Sequence, residues 1–134
     1  MDEDVLEMIA HGMLQQLMSV RAYELLISAA PSRDDQQLLL TMQREERRHY
    51  YLLEGIYEEL CGHACMVPRP ALAMPKQYIT MLQVMICNKL DIIEHYELLD
   101  KKLHCVKQRE LLTIVISDQK EQARILATIY RRNN

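Results

Sequence analysis

The chain of 134 residues sets 16 Lys and Arg against 19 Asp and Glu, a formal net charge of -3, and is 49% hydrophobic and 26% charged. Such a length and composition suit one globular domain with a real core and exclude a disordered chain. The acidic balance offers no basic field for nucleic acid, and no apolar run approaches the roughly 20 residues of a membrane span.

The opening Met1-Asp2-Glu3-Asp4 is acidic, the opposite of a signal peptide, so a cytoplasmic protein is expected. Cys61, Cys65, Cys87 and Cys105 are then expected to be reduced thiols rather than a disulfide framework. Cys61-Gly62-His63-Ala64-Cys65 has the look of metal ligands. No second pair completes it, so it reads as ordinary cysteines at a helix end.

Glycine and proline are scarce, three and four residues, and they punctuate a helical chain. A first helix is expected from about Asp4 to Ala30, with Val5, Met8, Ile9, Met13, Leu17, Val20, Tyr23 and Ile27 forming its apolar stripe. Pro31 stops it, and Ser32 is placed to cap a second helix whose first turn holds Asp34 and Asp35. That helix carries Leu38, Leu39, Met42, Glu46, His49, Leu53, Ile56 and Leu60, and ends near Gly62. Residues 62–76, with Pro68, Pro70 and Pro75, form the only long linker. Pro75 suits the first position of a third helix, which runs to about His104 through Ile79, Leu82, Ile86, Leu90, Ile93 and Tyr96. After a break near Cys105 a fourth helix reaches about Arg131 on Leu111, Leu112, Val115, Leu126 and Ile129, with Arg109, Lys120 and Arg124 solvated. Two short turns and one long crossover between helices 2 and 3 predict an all-α, up-down-down-up four-helix bundle.

Glu46 and His49 stand three apart in the second helix and leave one face together, a geometry that can grip a metal ion inside a bundle. The chain also aligns with itself without gaps at an offset of 73. Met8 falls on Met81, Leu17 on Leu90, Val20 on Ile93, Tyr23-Glu24-Leu25-Leu26 on Tyr96-Glu97-Leu98-Leu99, and Ile56-Tyr57 on Ile129-Tyr130. Helical periodicity does not select tyrosine twice, so residues 5–60 and 78–133 read as an internal repeat.

The run Tyr23-Glu24-Leu25-Leu26, then Glu45-Glu46-x-x-His49, then Ile56-Tyr57 before Cys61-Gly62 resembles the rubrerythrin-like branch of the ferritin-like diiron proteins across nearly the whole chain. The resemblance implies a Glu about seven residues before each Tyr and a Glu-x-x-His in the second helix of each half, six ligands for two irons. This chain departs from that set. Glu46 and His49 remain, but Gln16 and Lys89 replace the first-helix glutamates, and Gln119 and Gln122 replace the second Glu and His. Among nearby acids, Glu24 lies at the wrong depth, and Glu94 and Asp118 are expected to face outward with Arg21 and Glu45.

Lys89 would bring a positive charge where a second metal should sit, and a buried lysine needs a partner, for which Glu46 is the candidate. The expectation is that Glu46–Lys89, with amide bonds from Gln16, Gln119 and Gln122, forms a buried polar network without redox chemistry, in a protein with a structural or binding role and no catalytic residue. The alternative is an oxidoreductase or iron-handling protein in which Glu46 and His49 hold residual iron or manganese. The resemblance further implies a homodimer, and Tyr50, Tyr51 and nine methionines leave room for a protein partner. His11, His63, His95 and His104 lie off the ligand positions and are expected to be partly exposed.

Overall fold

The computed structural model describes residues 3–134, so Met1 and Asp2 of the acidic opening lie outside the described residues. Four helices follow in order: α1 (Glu3–Ala29), α2 (Arg33–Cys61), α3 (Tyr78–Lys102) and α4 (Val106–Asn133). Ser32 caps α2, its hydroxyl accepting from the Asp35 N–H at 3.1 Å. Gly62 closes the same helix at φ 77°, a left-handed conformation that glycine adopts without a Cβ penalty, and its N–H donates to the Glu58 carbonyl.

Pro75 does not start α3. The helix begins at Tyr78 after an extended Gln77, because the proline's fixed φ suits an extended linker equally well. Tyr78 is also the residue tied to the bundle, with its hydroxyl 3.3 Å from Asp35 Oδ2. At the other end α3 stops at Lys102, before the expected His104, as Leu103 turns extended and buries its side chain.

Helix direction follows from which ends share a core. Val5 and Ile9 of α1 pack with Leu53 and Ile56 of α2, Leu99 and Leu103 of α3, and Leu112 and Val115 of α4. At the opposite end Tyr23 and Leu26 meet Leu39 and Met42, Met81 and Leu82, and Leu126 and Ile129. Thus α1 and α4 run one way and α2 and α3 the other, with α1 and α4 each packed against both α2 and α3. Among the described residues no helix is long and apolar enough to cross a membrane.

The inward faces differ from the expected stripes at several places. Leu90 is 59% exposed, while its neighbour Lys89 is buried. On α1, Leu17 and Val20 are only half-buried, and Gly12, Gln16, Ala22 and Leu26 take the interior. The physical reason is close approach. A Cβ on Gly12 would stand 2.7 Å from Tyr96 Cε1, so the backbone there admits the ring only without a side chain.

Candidate functional site

Between the two apolar clusters every helix turns polar at the same depth. Gln16 of α1, Glu46 and His49 of α2, Lys89 of α3, and Gln119 and Gln122 of α4 are each 2% exposed or less. In α2 and α4 the spacing of three aims both polar side chains inward, one turn apart.

Lys89 Nζ lies 2.7 Å from Glu46 Oε2, 2.9 Å from Gln119 Oε1 and 3.1 Å from Ser19 Oγ. An ammonium has three protons to give and accepts nothing, so all its donors are satisfied. The Tyr23 ring centroid sits 5.3 Å away, adding a cation–π contact. The other carboxylate oxygen, Glu46 Oε1, accepts from Gln119 Nε2 at 2.6 Å and Gln122 Nε2 at 2.9 Å.

These bonds orient the amides. Gln119 turns its oxygen to the ammonium and its nitrogen to the carboxylate and to His49 Nδ1, 3.0 Å away. Gln122 accepts from the Tyr23 hydroxyl at 2.7 Å and spends both N–H groups, on Glu46 and on Glu45 Oε1 at 3.1 Å. With Nδ1 accepting from Gln119, the His49 proton belongs on Nε2, which faces Asp118 Oδ2 at 2.8 Å. In that tautomer the 3.3 Å approach of Nδ1 to Glu46 Oε1 carries no hydrogen bond.

Burial is the largest single influence on Glu46 and would raise its pKa, but the Lys89 ammonium and the neighbouring His49 together outweigh burial and hold the carboxyl at about 2. For Lys89 the balance runs the other way: burial lowers its pKa further than the Glu46 carboxylate raises it. Three acceptors around Nζ keep the ammonium as the form this geometry accommodates. Burial, followed by the Glu46 and Glu45 charges, drives the Tyr23 phenol well above its ordinary range, so it stays a donor to Gln122.

Two expectations need correction. Asp118 does not face away: its side chain is 24% exposed and bonds His49 from the bundle edge, where Arg48 also approaches at 3.3 Å. A lone acid beside an inward position reads as solvated, yet a histidine ring is long enough to reach that edge. Gln16 shares the depth of the layer but makes no bond to Glu46 or Lys89. Its Nε2 donates instead to Tyr96 OH at 2.6 Å, and Tyr96 OH donates to the Gly12 carbonyl at 3.3 Å. Ser19, which takes the third ammonium proton, was missed. Its signal was a small hydroxyl one turn beyond Gln16 on the same face.

Cys61, His63 and Cys65 stay together at the end of α2, the Cys61 thiol donating to the His63 carbonyl at 3.3 Å. His95 lies 2.8 Å from the Met8 carbonyl and edge-on to His11, their ring centroids 4.7 Å apart. Among the described residues no three or more His, Cys, Asp or Glu side chains form a set able to hold a metal ion.

No protein-family model matches the chain, and no curated protein is similar to it. Among solved structures it is similar to a hypothetical protein from Pyrococcus furiosus, with a TM-score of 0.82 at 14% identity, over 95% of this chain and 88% of that one. At that identity the similarity concerns the fold, which is an all-α four-helix bundle.

Proposed function

We propose that this is a ferritin-like, rubrerythrin-like bundle in which the Lys89 ammonium stands where the family holds metal, and that the protein has a non-redox structural or binding role. The carrying observation is the complete set of acceptors around Nζ: Glu46, Gln119 and Ser19. A pair of ferrous ions needs several carboxylates to balance four positive charges, and among the described residues Glu46 is the only carboxylate buried in the layer. Lys89 already neutralises it. A divalent ion placed a few ångströms from that ammonium would be opposed by several kcal/mol, roughly, even at an effective dielectric of about 20. The donor set therefore does not fit two metals, and no redox step is assigned to it. Residues 5–60 and 78–133 are read as a duplicated hairpin in support of the same family, and a homodimer is the assembly that reading implies.

Metal content of the purified chain, after anaerobic loading with Fe(II) and Mn(II), tests this reading. Less than a tenth of an equivalent is expected. About one ion per chain would overturn it in favour of a residual site at Glu46 and His49, and about two would mean that outer carboxylates such as Asp118 have rebuilt a centre. Lys89→Glu, which removes the cation and adds a carboxylate, is expected to raise uptake above the parent's.

A further inference from the structure

Beside the ammonium a cavity of about 30 Å³ lies between α1 and α3, with Leu72 of the crossover on its wall. Gln15, Gln16, Ser19, Glu46, Asn88 and Lys89 supply its polar lining. Gln16 is 1% exposed, and its Oε1 has no hydrogen-bond partner. Turning that amide over gives no relief. Oε1 would then face Tyr96 OH, and the NH2 group would be the orphan. Buried carbonyl oxygens are nearly always satisfied, by protein or by ordered water.

Ser19 contributes the complementary half. Its Oγ accepts from Lys89, which leaves the hydroxyl proton to be given away. At its buried end the cavity thus presents one unpaired acceptor and one free donor, while the more exposed amides of Gln15 and Asn88 line its outer part. The adjoining charges are already matched, because Lys89 has placed its three protons and Glu46 balances it. A cation would be repelled by the ammonium, and an anion would find no proton left on it. What suits the space is neutral, gives one hydrogen bond and takes another. Water needs about 10–15 Å³ of such volume per molecule, so there is room for roughly two.

We propose that this cavity is a binding site for one or two long-lived water molecules bridging Gln16 Oε1 and Ser19 Oγ, beside the Lys89–Glu46 pair on its α1–α3 side. The inference rests on Lys89 being the internal cation, and its test keeps the two apart. High-resolution crystals of the full chain are expected to show a solvent peak within hydrogen-bond distance of both Gln16 Oε1 and Ser19 Oγ. Lys89 in place with no such peak overturns the water site alone. A metal peak beside Glu46 and His49 overturns the internal cation, and the water site with it. In solution, water-oxygen relaxation dispersion of the wild type is expected to contain a buried-water contribution, and Gln16→Leu to lose the share of one to two molecules. An unchanged amplitude in a folded Gln16→Leu overturns the proposal, and the wild-type crystals decide it if that variant does not fold.

Discussion

The α1–α2 hairpin and the α3–α4 hairpin place different chemistry at matching positions. Where the first has Gln16, Glu46 and His49, the second has Lys89, Gln119 and Gln122, and all six are buried at one level. The first contributes an acid and an imidazole, the second a cation and two amides. Each is unsatisfied alone: a buried carboxylate without Lys89, or a buried ammonium without Glu46, would be an uncompensated charge. The outer bonds keep a matching pattern, because Glu45 takes a bond from Gln122 across the bundle as Asp118 takes one from His49. The tyrosines do not match. Tyr23 gives its proton to Gln122, whereas Tyr96 gives its own to the Gly12 carbonyl. The hairpins are therefore complementary rather than equivalent, and their docking is where the charge is settled.

Breaking that complementarity on the α3 side is expected to have the largest effect. Lys89→Met leaves Glu46 buried beside amides with no cation, and should cost about 3–5 kcal/mol in denaturant unfolding. A cost below about 1 kcal/mol would mean that the pair is not the joint between the hairpins.

Acid titration should give the next largest effect. Glu46 has a folded pKa of about 2 against an ordinary 4.5. A depressed carboxylate contributes stability that is complete above the unfolded value and lost as pH falls through the folded one. On the order of 3 kcal/mol should therefore disappear between about pH 5 and pH 2. In Lys89→Met the sign should reverse, because burial without the cation raises the carboxyl pKa and acid then relieves the buried charge. Unfolding curves against pH for the two proteins read this directly.

Gly12→Ala probes the unmatched tyrosines. Its methyl would meet Tyr96 Cε1 at 2.7 Å, so the ring and its bonds must shift, at a cost of about 1–3 kcal/mol measured by thermal or chemical unfolding. Met85 holds the corresponding position of the second hairpin, where Tyr23 sends its hydroxyl to Gln122 instead. The smallest effect concerns the turns. Ser32 caps α2 with a side-chain bond, whereas Cys105 at the start of α4 makes none. Ser32→Ala should lose about 1 kcal/mol and Cys105→Asp should gain up to about that much, as read by the unfolding midpoint.

Much of this architecture was legible in the residues. Proline and glycine placed the breaks, period-3.6 burial marked the helices, and a lysine within an apolar helix announced a need for an acid. Leu90 shows where such reading stops. A leucine at helical spacing reads as core, yet the inward face of α3 runs through Met85, Lys89, Ile92 and Tyr96 and leaves Leu90 on its outer side. Pro75 shows a second limit, since a fixed φ fits a helix start and an extended linker equally.

By itself, then, the sequence determined the four helices, the two short turns, the long crossover and the polar residues held at mid-depth. The helices, turns and crossover follow from local preferences and from spacing along one chain, as does the Glu46–His49 pair. Gln16, Lys89, Gln119 and Gln122 follow instead from the resemblance and the 73-residue offset. Tertiary structure decided the partners: Asp118 for His49, Ser19 for Lys89, and Tyr96 rather than Glu46 for Gln16. Such bonds join residues 69 to 80 positions apart, and their existence depends on helix rotation and side-chain reach to within an ångström, quantities that periodicity does not encode.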